Sequence, residues 1–463
     1  MTTPIPGPPG VPLLGNIFDI NPKDTWGSLK SLADKYGEIY KVNALGHQIV
    51  FIGSAALLEE ICDETRFRKC VTGPVVEIRR AVHDSLFTAY HHEKSWDVAH
   101  RIMAPLVSPS AAEAMFTQMV ECAATLVSRW TSDPGQRIDV TSDLQRSDLQ
   151  SVLACYFNQS ANYFGGPEPS MIAAMQNSTL EAMKRPNRPK LLTRLLYQRK
   201  FDKDIKTMRS FAAEIIANRK SESAPKSDML NALLNNPDPE TGEVLGEERV
   251  IDEIITIFIG SATAPCLVSF AVYYLLQNPE EIVKARDEID SILGANGEIT
   301  SSNLSSFAYC EAILREAFRL SAVAPAFNIE PIPSDEPGEV QLAGGKYQIS
   351  RKQPMIAVLS AVNRDPAVFD EPEAFKPERM LGEAYDKLPS GVKKGFGNGK
   401  RRCFGKVPAW QWCLITLISI LRKVDLTLAN KDYKLASNGA FCRIVDDVCI
   451  LILVIFTVVM DKA

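Results

Sequence analysis

The longest helical pattern in the chain covers residues 248–277 and is apolar on most faces. Such a helix cannot lie on a surface. It has to run through the centre of the molecule, walled in by other elements. Asn278-Pro279 ends it, because proline cannot continue the hydrogen-bonded ladder. Near its middle stands Ile259-Gly-Ser-Ala-Thr-Ala-Pro265. Pro265 removes one helical hydrogen bond and its ring presses on the carbonyl four residues back, so a kink is expected near Ser261.

Helical periodicity dominates the rest. Residues 111–130, the amphipathic stretch 203–220 and roughly 305–320 read as helices. The β-rich runs 39–43 and 48–52 flank a turn containing Gly46 and read as a hairpin. Polar, turn-rich stretches at 221–227 and 235–246 read as connectors within one globular unit. The expectation is one domain over 1–463, β-rich over about 1–70 and helical beyond: mainly α with small β-sheets. At 463 residues and 46% hydrophobic, the chain can bury a sizeable core. A net charge of −5 argues against a general nucleic-acid binder. Ten cysteines without a C-x-x-C pair argue for a reducing compartment and against a structural zinc.

The chemistry concentrates in Phe396-Gly-Asn-Gly-Lys-Arg-Arg-Cys-Phe-Gly405. Gly397, Gly399 and Gly405 would free the backbone for positive φ and close approach to a flat ligand. Loop amides and neighbouring positive charge would hold Cys403 as a thiolate. A thiolate on such a loop suits an axial ligand to haem iron, and Arg401 could neutralise a haem propionate. Glu316 and Arg319, at i, i+3, would ordinarily be a solvated pair of little worth, but Phe-Lys-Pro-Glu-Arg379 follows before the cysteine loop.

The loop fills every fixed position of Phe-x-x-Gly-x-Arg-x-Cys-x-Gly and resembles the haem-binding loop of the cytochrome P-450 family. The likeness extends over nearly the whole chain. It implies the P-450 fold, with the long helix over haem b and Cys403 beneath as iron ligand. It also implies a buried Glu316–Arg319–Arg379 triad, a groove for dioxygen at Gly260–Thr263, and haem propionates held by Trp96, His100 and Lys69, with Phe396 and Arg401 from the loop. Within the family the chain is most similar to the haem domain of soluble, self-sufficient fatty-acid hydroxylases of bacteria and fungi. Pro6-Gly-Pro-Pro-Gly10, Cys62-Asp-Glu-Thr-Arg-Phe67, Leu86-Phe-Thr88, Pro237-Asp-Pro-Glu-Thr-Gly242 and Gly395–Lys400 carry that likeness.

Three departures shape the expected function. The acid that the family usually carries before the threonine is Ala262 here, leaving Thr263 as the catalytic residue for proton relay. Pro265 is unusual at its position. At the channel mouth, the arginine and tyrosine that hold a carboxylate in fatty-acid members are matched by His47 and Phe51, so a fatty acid is not assumed. Phe87 matches the phenylalanine that packs over the haem and shapes substrate access. The resemblance implies a haem-thiolate monooxygenase acting on an apolar small molecule, with an intermediate of fungal secondary metabolism as the expected substrate class. Two alternatives keep the haem: an isomerase or dehydratase needing no external electrons, and a non-catalytic haem protein.

Electrons are expected from a separate NADPH-dependent flavoprotein reductase. It would dock on the basic rim of Lys393, Lys394, Lys400, Arg402 and Lys406. The Pro/Gly-rich N-terminus lacks the apolar run of an anchor, which suggests a soluble, cytoplasmic protein. Peripheral contact at the endoplasmic reticulum is the second option. Apolar residues 448–460 are too short for a comfortable span and read as a buried strand, with membrane contact as the alternative.

Overall fold

The computed structural model describes residues 2–453 except 45, 134, 222–225, 335–337, 439–442 and 445–448. The central helix is present in two segments, Glu247–Ser261 and Thr263–Gln277, which meet at Ala262. The expected kink is thus a break one residue after Ser261. Pro265 has no N–H to give the carbonyl of Ser261, and the chain restarts so that Pro265 sits in the first turn of the second segment, where a missing N–H costs least. The Ser269 hydroxyl donates to the Pro265 carbonyl at 2.8 Å. The two segments together are long and apolar enough to cross a bilayer, but they are clad by other helices.

The second segment packs on Val140–Phe157, Ala308–Leu320 and Lys406–Lys423. Phe270, Ala271, Trp130, Leu314, Ile415 and Ile418 share that core. Truncating a ring as buried as Phe270 would cost about 3–5 kcal/mol. The first segment packs on Pro74–Val82 and Gln198–Ser221, burying Ile254, Ile255 and Phe258 in a second core.

The stretch expected as one helix over 111–130 is two, Pro109–Ala114 and Phe116–Thr131, parted at Met115. The 203–220 helix begins earlier, at Gln198. The connector after residue 235 is tied down rather than loose: Arg101 Nε meets Asp238 Oδ1 at 2.6 Å, and the Thr241 hydroxyl donates to the same carboxylate at 2.6 Å.

The hairpin forms as expected, Ile39–Ala44 against His47–Ile52, with Ile39 opposite Ile52. It is the edge of a five-stranded sheet that continues through Met355–Val358, Ala326–Pro331 and Phe67–Lys69. The first seventy residues therefore do not form a β unit of their own. They also carry helices Thr25–Tyr36 and Ala55–Ile61, and their sheet is completed from late in the chain. Of the apolar run 448–460, Cys449–Leu453 is a strand between Asp425–Leu428 and Arg137–Asp139; residues 454–460 lie outside the described residues.

Candidate active site

The loop before Lys406–Lys423 is shaped by contacts that only glycine permits. Gly397 and Gly399 take φ of 76° and 60°, left-handed values that L side chains resist. A Cβ on Gly395 would stand 2.4 Å from the Phe318 ring. Phe396 is wedged between Phe318 and Trp410, with ring centroids 5.0 and 5.8 Å away. Gly405 differs from expectation: its φ is −86°. A Cβ there would meet no protein atom within 4 Å, so the room it leaves is not taken by protein.

The Cys403 N–H donates to the Phe396 carbonyl at 2.7 Å. The thiol opens into the cavity but is otherwise enclosed by protein. Burial raises its pKa, while the Gly405 N–H and the charges of Lys69 and Lys406 pull it back, and burial wins. The loop amide and the two lysines thus favour the thiolate, against the pull of burial. A metal cation seated against the sulfur would complete this, since a coordinating thiol is deprotonated outright.

Above Cys403 lies a cavity of about 1730 Å³. Ordinary small-molecule sites occupy roughly 300–1,000 Å³, so there is room for a large flat cofactor and a substrate together. Lys69 and Arg401 both face this space. Burial, then the Arg401 charge, pushes Lys69 down to about 8. Burial pushes Arg401 down to about 10, with Asp97 and Glu93 pulling the other way. Neither cation is in an ion pair with a carboxylate among the described residues. Arg401 donates to the Leu86 carbonyl at 3.4 Å and to that of Ala89, and lies 4.9 Å from the Trp96 ring. Lys69 lies 4.9 Å from the Phe87 ring.

Two half-buried cations without carboxylate partners among the described residues, on one cavity, form a receptor for paired anionic groups. Trp96 stacks on His100 at 4.5 Å beside them, and burial lowers the His100 imidazole pKa, favouring its neutral form. A flat cofactor with two carboxylates and a metal that accepts one thiolate fits this set: haem b, with Cys403 as ligand.

Thr263, Gly260, Phe87, His47 and Phe51 also line the cavity. The Thr263 hydroxyl donates to the Gly260 carbonyl at 2.8 Å. Phe51 is buried and stacks on Tyr40 at 5.1 Å. His47 stands exposed at the strand start. Ala262 is not brought to this cavity. It borders a small void with Gln145, Asp148 and Ser261, because the helix break turns it away.

Glu316, Arg319 and Arg379 do come together. Glu316 meets Arg319 Nε and Nη2 at 2.7 and 2.8 Å, and Arg379 Nε at 3.4 Å.

Of the buried acids not found from the sequence, two bear on the site. Glu253 accepts the Leu86 N–H with both oxygens at 3.1 Å, which fastens the segment carrying Phe87 to the central helix. Burial pushes its carboxyl up to about 8. The other is Asp148, on Val140–Phe157. That helix buries Thr141, Asp143, Gln145, Ser147, Asp148, Gln150 and Ser151, a polar set on a helix at the molecule's centre. In the sequence these polar residues read as a solvated helix face, so no local signal marked Asp148.

A cysteine-bearing loop beneath a broken central helix, with a dianion receptor between them, defines a haem-thiolate protein. The Cytochrome P450 family profile matches residues 5–444, and the chain belongs to that family. It is 38% identical to a bifunctional cytochrome P450/NADPH–P450 reductase of Acremonium egyptiacum, over 94% of this chain and 42% of that one. A self-sufficient cytochrome P450 monooxygenase of Exserohilum turcicum is 38% identical over 94% of this chain and 41% of its own length. Another from Phanerodontia chrysosporium is 35% identical over 94% and 41%. The chain thus spans about two fifths of the length of the curated relatives it matches.

Proposed function

We propose that this chain is a haem-thiolate monooxygenase that oxidises an apolar small molecule, with an intermediate of fungal secondary metabolism as the substrate class. The observation that carries the reading is the pair Lys69 and Arg401, facing one large cavity whose floor is Cys403. When bound, haem supplies iron-centred activation of dioxygen. The protein's residues do the remainder. Cys403 would ligate the iron. Lys69, Arg401, Trp96 and His100 would hold the cofactor's carboxylates, and Phe396 backs the loop. Phe87 narrows the space where substrate sits. The Thr263 hydroxyl, now on the Gly260 carbonyl, can turn to a water in the cavity and pass a proton.

An apolar substrate suits the outer wall. Two of its arginines are already engaged: Arg68 Nη2 with Glu330 Oε1 at 2.8 Å, and Arg188 Nη1 with Glu181 Oε1 at 2.8 Å. His47 and Phe51 add no fixed cation.

The electron donor we propose is an NADPH-dependent flavin reductase, the activity that the Acremonium relative's name joins to its P450 in one protein; a separate reductase is the arrangement that a basic docking rim would serve. On the basic rim, Lys393 donates to the Asp386 carbonyl, Lys394 to Asn398 and Lys400 to Asp97. Arg402 and Lys406 are the more available steering charges.

For location we propose a cytoplasmic protein in peripheral contact with an anionic membrane. Leu191, Leu195 and Leu196 are 71, 67 and 65% exposed. Residues 184–200 around them carry Lys184, Arg185, Arg188, Lys190, Arg194, Arg199 and Lys200 and no acid, a composition that favours anionic lipid.

The test of the central reading is spectroscopic and then catalytic. Reduced protein with carbon monoxide should give the red-shifted absorption of thiolate-bound haem, and Cys403→Ala should lose it. With NADPH and a P450 reductase, oxygenated product should form from apolar metabolites. Turnover that needs no electron donor would overturn the monooxygenase assignment.

A further inference from the structure

We propose that Asp148 and Ser261 form a proton-donating pair on the cavity wall, placing on a neighbouring helix the carboxyl that the central helix lacks at Ala262. The proposal rests on the monooxygenase reading, because splitting dioxygen to one oxygenated product and water consumes two protons.

The geometry begins with Val140–Phe157. Asp148, Ser151, Val152, Cys155 and Tyr156 line the cavity, at i, i+3, i+4, i+7 and i+8, which is one face of a helix. Asp148 is 7% exposed. Ser261, at the end of the first central segment, borders the same spaces as Asp148, and its hydroxyl moderates the rise in the Asp148 pKa. Ser261 Oγ donates to the Phe258 carbonyl at 3.1 Å, which leaves its lone pairs able to accept from a water standing between it and Asp148.

Asp148 and Ser261 border two spaces at once. One is the large cavity. The other is a void of about 10 Å³ shared with Gln145 and Ala262, close to the size that holds a single water. Ala262 borders only the void. A longer acid at position 262 would therefore project where Asp148 already stands.

The surroundings suit a group that gives up a proton and takes it back. No ion pair to a cation is made by Asp148 among the described residues. The titratable groups that feel its charge are Cys122, Cys155, Tyr156 and Cys413. All four are pushed upward by burial, so they stay neutral and do not trap the carboxylate. Burial without a counter-charge pushes Asp148 up to about 7, the region where a general acid works best at neutral pH. In the step, the Asp148 proton moves through a water in the void to Ser261 Oγ as the serine's own proton leaves the Phe258 carbonyl for a water in the cavity. The carboxylate then regains a proton from solvent. No electron moves.

The experiment compares haem-loaded wild type with Asp148→Asn, Asp148→Glu and Ser261→Ala. Infrared spectra across pH should show a buried carboxyl band that titrates near pH 7. The band should vanish in Asp148→Asn and shift in Ser261→Ala. With NADPH, reductase and dodecan-1-ol as probe, product formation by Asp148→Asn should fall about a hundredfold. Binding of the probe should be unchanged, and peroxide release should rise. Wild-type product yield should decline above pH 7, the asparagine variant should be flat, and Asp148→Glu should recover part of the rate. An asparagine variant with the wild-type rate and pH profile overturns the proposal, as does the absence of a titrating band. If wild type oxygenates nothing, the monooxygenase reading falls by itself, and the infrared arm decides the pair: a band insensitive to Ser261→Ala sinks it.

Discussion

Glu316→Ala removes the one carboxylate from a buried cluster, and its cost can be worked from the contacts. Glu316 is fully buried and Arg319 is 4% exposed. The carboxylate takes Arg319 Nε and Nη2 at 2.7 and 2.8 Å, and the Lys376 N–H at 2.9 Å. Breaking a buried pair from one side costs about 3–5 kcal/mol. The orphaned Lys376 N–H adds about 1–3 kcal/mol. Arg319 also donates to the carbonyls of Asn363, Pro372 and Ala374 at 3.0, 2.6 and 3.0 Å. These keep the stranded charge solvated, so a total of about 4–5 kcal/mol is expected, in the lower half of that range. Against a typical stability of about 5–15 kcal/mol, this is a large fraction. Glu316→Gln retains the shape and one acceptor and should cost about half. Arg379 is the peripheral member: it is 3.4 Å from Glu316, and its side chain is 16% exposed. Arg379→Ala should cost only about 1–2 kcal/mol. Urea unfolding followed by tryptophan fluorescence, with haem content measured in parallel, reads the order directly. A Glu316→Ala protein within about 1 kcal/mol of wild type, or an Arg379→Ala protein less stable than it, would refute the assignment of Glu316 as the hub.

Three further outcomes are expected. Asp148 has a folded pKa of about 7, above its ordinary value of 3.8, so its contribution to stability is complete at acid pH and is lost as pH rises from about 4 through 7, on the order of 4 kcal/mol; urea midpoints should fall across that window in wild type and much less in Asp148→Asn. Co-sedimentation with vesicles containing phosphatidylserine should be strong at low salt and weak with phosphatidylcholine alone, and Leu195→Glu with Leu196→Glu should abolish it; equal binding by the double variant would remove the leucine patch from the account. Reductase-supported activity should fall as ionic strength rises, and Arg402→Glu should weaken it while peroxide-driven activity holds; parallel loss of both would place Arg402 in support of the haem site rather than in docking.

How much was legible in the sequence depended on whether the physics was local. The cysteine loop was readable because each fixed residue answers a short-range demand. Gly397 and Gly399 are there for left-handed turns, and Gly395 for the close approach of Phe318. Gly405, read the same way, turned out to serve space rather than φ. The break in the central helix was legible to one residue, since a proline's missing N–H acts within a single turn. The five-stranded sheet was not, because Met355–Val358 joins His47–Ile52 across most of the chain, and nothing local announces a partner so distant. Asp148 was hidden for a related reason. An aspartate in a helix reads as solvated until the helix's polar face is known to be inside, and only packing against Ser261 and the cavity supplies that knowledge. The same packing changes the meaning of Ala262. In the sequence it is a lost acid. In the folded chain it faces a void bordered by an acid from another helix, so the residue types at 148 and 262 have to be read as a pair, two positions on separate helices that the fold makes one site.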